Sequence, residues 1–137
     1  MPASQRIVQV CLFIAGAIAL FGGTVQMVLG QPETTPRLDN VHRFLARVYL
    51  AMGVMSVWAG VTVRRQGTFV YLLALAVLLG AAGQLVSIAQ VGLPAPAGLW
   101  LGYPVPELVL PVVIVVAHFV SNRLGRAGPT ATRGDPP

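Results

Sequence analysis

Few side chains in this sequence are of a type that does chemistry. One cysteine, two histidines and four acids are present, and none stands in a spacing that marks a reaction. His-Glu-x-x-His, a cysteine pair, Gly-x-Ser-x-Gly and a phosphate-binding glycine loop are all absent. Cys11 has no second cysteine and sits in an apolar run, which suits a small buried hydrophobe. Glu107 and His118 fall on one helical face, but eleven residues separate them by about 16 Å of rise, too far for a dyad. Facing histidine pairs, which a haem bundle needs, are not available from His42 and His118. The expectation is therefore a protein without catalytic residues, metal or cofactor.

What remains is a binding or structural constellation. The stretch DNVHRFLARVYLAMG opens an apolar segment yet carries Arg43 and Arg47 one turn apart. An arginine deep in hydrocarbon costs roughly 2.5–3.5 kcal/mol on insertion scales, and less near the interface, where its stem can snorkel. Arg43 has a simple role as a headgroup contact. Arg47, a turn deeper, calls for an internal partner, and Glu107 is the available carboxylate. Glu107 also suits the first turn of its helix, where the dipole favours an acid.

The elements that must position these groups are apolar and long. Of 137 residues 55% are hydrophobic and only 9% charged, against about a quarter charged in soluble domains. Mean hydropathy is +0.76. Four segments, about 7–29, 43–63, 69–91 and 105–122, approach the ~20 residues of a spanning helix. The first exceeds a signal-peptide core and has no clean A-x-A-like site after it, so it reads as a retained helix. The fourth is expected to start at Pro106 and to kink, or leave a carbonyl free, at Pro111. The fold class is an all-α, integral membrane antiparallel four-helix bundle over residues 1–124, followed by a disordered cytoplasmic tail at 125–137.

Charge sets the orientation. All nine basic side chains are arginines scattered singly between apolar runs, with no basic face or stacking aromatics for a nucleic acid. Alternating helices put Arg6, Arg64, Arg65, Arg123, Arg126 and Arg133 on one side and Arg37, Arg43 and Arg47 on the other. Six against three places both termini in the cytoplasm of a bacterial inner membrane. Trp100 and Tyr103 then fit an interfacial belt on the outer side.

Three polar or small-residue stripes run along the spans. Ala15, Ala19, Gly22, Gly23 and Gln26 share a face of the first; Ala76, Gly80, Gly83, Gln84, Ser87 and Gln90 share one of the third; Glu107, Pro111, Ile114 and His118 share one of the fourth. They read as seams where backbones approach, joined by amides. By this topology Gln26, Arg43, Arg47, Gln84, Ser87, Gln90 and Glu107 all lie in the outer third of the membrane. The expected polar cluster, either ligand-binding or structural, is Asn40, Arg43, Arg47, Gln84, Ser87 and Glu107.

The order of DNVHRFLARVYLAMG, GAAGQLVSIAQVGLP and PELVLP resembles an uncharacterised bacterial family of small four-helix membrane proteins, domain of unknown function 4345. The matching positions are Asn40, Arg43, Phe44, Ser87, Gly92, Pro94, Glu107, Leu108 and Pro111, and the resemblance covers most of the chain. It implies the fold and the membrane location and no particular activity.

Two functional classes follow. One is a non-catalytic accessory protein, a subunit or stabiliser of a larger envelope complex or a homo-oligomer. The other is a binder of a membrane lipid or other amphiphile through the outer-leaflet polar cluster. A lone transporter or channel is disfavoured, because no polar face runs the full depth of the membrane.

Overall fold

A computed structural model describes residues 1–30, 34–93, 95–102 and 104–126, leaving aside the side chains of residues 99, 100, 125 and 126. Its elements are α1 (Ala3–Leu29), α2 (Pro36–Val61), a 3₁₀ turn (Val63–Arg65), α3 (Thr68–Val91), a short α4 (Ala97–Leu101) and α5 (Pro104–Arg126). Among the described residues there is no strand. Four helices, α1, α2, α3 and the Pro104–Leu124 part of α5, are long and apolar enough to cross a membrane. Large apolar side chains such as Phe21, Phe44, Leu79 and Val116 are exposed, as befits a surface meeting hydrocarbon.

Local chemistry sets the helix ends. Thr35 accepts from the Leu38 N–H, Pro36 occupies the first turn and Asp39 follows it, so α2 starts well before residue 43, where apolarity alone begins the span. Pro104 and Pro106 both lie in the first turn of α5, where no N–H is needed. The helix thus starts at Pro104 rather than Pro106. Pro111 is accommodated inside it, fully buried, and has no N–H to give the Glu107 carbonyl four residues earlier. Of the tail expected at 125–137, residues 125 and 126 belong to α5; the rest, together with Pro94 and Tyr103 and the side chain of Trp100, lies outside the described residues.

The tightest pairing is α1 on α2. Gln9 Nε2 donates to the Gly60 carbonyl at 2.9 Å, which satisfies one of the orphan carbonyls at the end of α2. Seven residues on, a Cβ on Gly16 would lie 3.2 Å from the Gly53 carbonyl oxygen and 2.8 Å from Val57 Cγ2. Seven further, a Cβ on Gly23 would lie 3.0 Å from the Ala46 carbonyl oxygen. The two helices are therefore antiparallel, in a register that sets a small residue against backbone every second turn. Lipid chains are as apolar as leucine, so this close approach, through dispersion, is what holds the pair. The sequence stripe on α1 is only partly used. Ala19 and Gly23 are buried while Gln26 is exposed, and Gly16, outside the expected stripe, approaches α2 about as closely as Gly23.

The remaining helices close the bundle as a chain, with α5 packed on both α1 and α3 while α2 and α3 scarcely touch. His118 meets Gly67 and Tyr71 at one end, and Gln84 meets Glu107 toward the other, so α3 and α5 are antiparallel. The apolar core, including Leu12, Val63, Val70, Leu73 and Ile114, gathers in the half that holds the chain start and the 3₁₀ turn. The other half is tied by polar contacts.

Candidate functional site

The carboxyl group of Glu107 is the focus of those contacts. It projects from the first turn of α5 and is 8% exposed. Tyr49 of α2 donates its hydroxyl to Oε1 at 2.8 Å, and Gln84 of α3 donates its amide to Oε2 at 2.8 Å. One acid therefore ties three helices, and both of its oxygens accept a hydrogen bond. The expected partner, Arg47, is not among these donors and is exposed. Helical geometry gives the reason: Tyr49 lies two residues on, about 200° around the helix, so the side that meets Glu107 is nearly opposite Arg47.

Tyr49 was not expected at this site. A signal for it exists in the sequence, because Ala46, Tyr49, Gly53, Ser56 and Gly60 recur at alternating spacings of three and four. That is the period of a packed helix face, and all but Tyr49, which is half-buried, are buried.

Arg43 belongs to a separate, shallower cluster. Its Nε donates to Asp39 Oδ2 at 2.8 Å, the one ion pair among the described residues, and its Nη1 donates to the Met27 carbonyl at 3.1 Å. The guanidinium thus caps the end of α1, where helix carbonyls lack partners and the dipole is negative. Gly30 follows at φ +60°, and a Cβ there would lie 3.1 Å from Arg43 Nη2. Both the left-handed backbone and the nearby guanidinium call for glycine. Arg43 and Tyr49 are six residues apart, so the clusters differ in depth by about 9 Å.

The structure therefore divides the expected site. It joins Gln84 to Glu107 and places Arg43 at the rim. Asn40, Arg47 and Ser87 are exposed and make no side-chain hydrogen bond among the described residues. On α3, Ala76, Gly80, Gly83, Ser87 and Gln90 are exposed, and no neighbouring atom lies within 4 Å of a Cβ built on Gly80 or Gly83. The stripe of the third span is thus not a seam inside this bundle. The face of α3 that packs is the adjacent one, with Val70, Ala74, Ala81 and half-buried Gln84. The stripe of the fourth span is buried as expected at Glu107, Pro111, Ile114 and His118.

A cavity of about 90 Å³ adjoins Glu107. Its walls come from α1, α2, α3 and α5 and include Ala15, Tyr49, Met52, Ser56 and Leu110. Ala76 and Gly80, which also line it, are exposed, so it opens on the α3 side of the bundle. At the far end His118 is 3% exposed; its Nε2 donates to the Gly67 carbonyl at 3.1 Å and its ring meets Tyr71 edge-on. His118 is thereby a tie between α5 and the start of α3. Among the described residues no three His, Cys, Asp or Glu side chains come together as a metal site.

A family model described as "Domain of unknown function (DUF4345)" matches residues 6–118. No curated protein and no solved structure matches the chain.

Proposed function

The chain belongs to the DUF4345 family, and we propose that it is a non-catalytic accessory component of the bacterial inner membrane, with both termini in the cytoplasm, that docks through α3 onto a larger membrane complex or another copy of itself. The observation that carries this reading is the exposed row Ala76, Gly80, Gly83, Ser87 and Gln90. Its spacings of four and three are those of a face made for another helix. Small residues let backbones approach, and serine and glutamine hydrogen-bond across helices in lipid. The same residue types, at the same seven-residue period, hold α1 to α2 in this molecule. Left against lipid, the row offers little surface for dispersion and leaves Gln90 without a partner helix. The arginine distribution supports the orientation: Arg6, Arg64, Arg65 and Arg123 lie at the end that holds the chain start.

Extraction in mild detergent tests this reading. A partner polypeptide or a second copy should co-purify in fixed ratio with the wild type and be lost from Gly83→Leu, a change with open space around it. Equal recovery with both proteins would overturn docking through α3.

The cavity beside Glu107 favours a second reading, the binding of an amphiphile. In that reading the rim residue Arg43 faces headgroups, and an apolar body enters between α2 and α3.

A further inference from the structure

We propose that the cavity beside Glu107 is a binding site for the hydroxyl end of a neutral, long-chain alcohol, selected over the corresponding ether. The proposal rests on the amphiphile reading and names the ligand class for it.

The selectivity follows from where the local protons already go. The Tyr49 hydroxyl and the Gln84 amide donate to Glu107, and the Ser56 hydroxyl donates to the Met52 carbonyl at 2.8 Å. Each carboxyl oxygen of Glu107 and the hydroxyl oxygen of Ser56 retains a lone pair. Both residues line the cavity, and the rest of its wall is largely apolar, with Ala15, Ile18, Val77 and Leu110. The cavity therefore offers acceptors to a ligand. An alcohol brings the missing donor; an ether brings another acceptor and would leave its oxygen unpaired in a desolvated place.

Depth excludes an ionised headgroup. Gln84 lies seven residues before the end of α3, so its contact with Glu107 is about 10 Å below the outer end of that helix. The cavity lies near the midpoints of α1 and α3, between Ala15 and Ala19 and between Ala76 and Gly80. An anion would meet only acceptors there, and a cation would have to leave water for a carboxyl group that already accepts from Tyr49 and Gln84, whereas a hydroxyl with a partner enters at little cost. Size sets the shape. About 90 Å³ is several times the roughly 10–15 Å³ that a single water needs, which admits a hydroxyl and the first few carbons of a linear chain. The remaining chain leaves past Ala76 and Gly80, where small side chains keep the exit open.

The test uses the full chain in lipid nanodiscs with two photoreactive diazirine probes of equal alkyl chain, dodecanol and its methyl ether, and maps the labelled residues by mass spectrometry. The alcohol should label Met52 or Leu110 saturably, with at least tenfold lower half-saturation than the ether. Gly80→Leu, which projects into the cavity without meeting a neighbour at its Cβ, should abolish that labelling, and Gly83→Leu should leave it intact. Saturable labelling by both probes at equal half-saturation overturns the donor selection and leaves the amphiphile reading standing. Absence of saturable labelling by either probe overturns both. Equal loss in Gly83→Leu overturns the cavity as the site and moves binding to the open face of α3.

Discussion

Glu107 is the acid on which this bundle turns, and its neighbours decide what substitutions should do. Removing the carboxyl leaves the Tyr49 hydroxyl and the Gln84 amide without their acceptor. Hydrogen bonds between membrane helices average about 0.6 kcal/mol and reach about 1.7, so two of them together should cost about 1–3 kcal/mol. Glu107→Ala is expected to lower unfolding free energy by that amount in a detergent titration. Arg43→Lys, at a partly exposed ion pair within one helix, should cost less than about 1 kcal/mol. An equal loss for the two would contradict the three-helix tie. His118 supplies a second residue-scale test. His118→Phe keeps an aromatic beside Tyr71 but removes the donor to the Gly67 carbonyl, and should cost about 1–2 kcal/mol. Arginine and glutamate were readable as unusual residues in an apolar chain. Their pairing was not, because an offset of two residues on α2 turns a side chain to the other side of the helix.

At the scale of elements, the same residue type has opposite roles on different helices. Gly53 faces Leu20 so closely that a Cβ would lie 2.8 Å from its Cγ and 3.0 Å from its backbone nitrogen. Backbone cannot give way cheaply, so Gly53→Ala should destabilise by about 1–3 kcal/mol. Gly83 has open space around it. Gly83→Ala should therefore be neutral or stabilise by up to about 1 kcal/mol, through better helix propensity. Parallel unfolding curves in one detergent measure both, and equal destabilisation would mean that α3 is packed where it is described as open. A period of seven marks both stripes in the sequence. It says that a face can pack and not what it packs against. On α3 two such rows lie side by side, Val70, Ala74, Val77, Ala81 and Gln84 beside Ala76, Gly80, Gly83, Ser87 and Gln90, and the first of them faces the bundle.

For the whole molecule, orientation is the property with the plainest readout. In a Cys11→Ser background, a cysteine at Arg65 should react with a membrane-impermeant maleimide only from the cytoplasmic side, and one at Arg37 only from outside. The reverse pattern would overturn the proposed topology. The four-helix architecture was legible because its cause is local and additive: each segment alone is long and apolar enough to cross a membrane, and the polar residues between them end it. Helix ends were legible where a cap or proline sits, as at Thr35 and Pro104, once those residues are weighed above apolarity.

Amino-acid order determined by itself that this chain is all-helical, spans a membrane four times, and carries an acid and several amides in one half of its depth. Only the tertiary structure decided that Tyr49 rather than Arg47 meets Glu107, that Gly16 and Gly53 form the close seam, and that the glycines of α3 face outward. Span and depth follow from hydropathy and a rise of about 1.5 Å per residue, which any segment carries within itself. Partner choice depends on the rotation of each helix about its axis. Lipid is indifferent to which apolar side it meets, so that angle is set by contacts between helices distant in sequence.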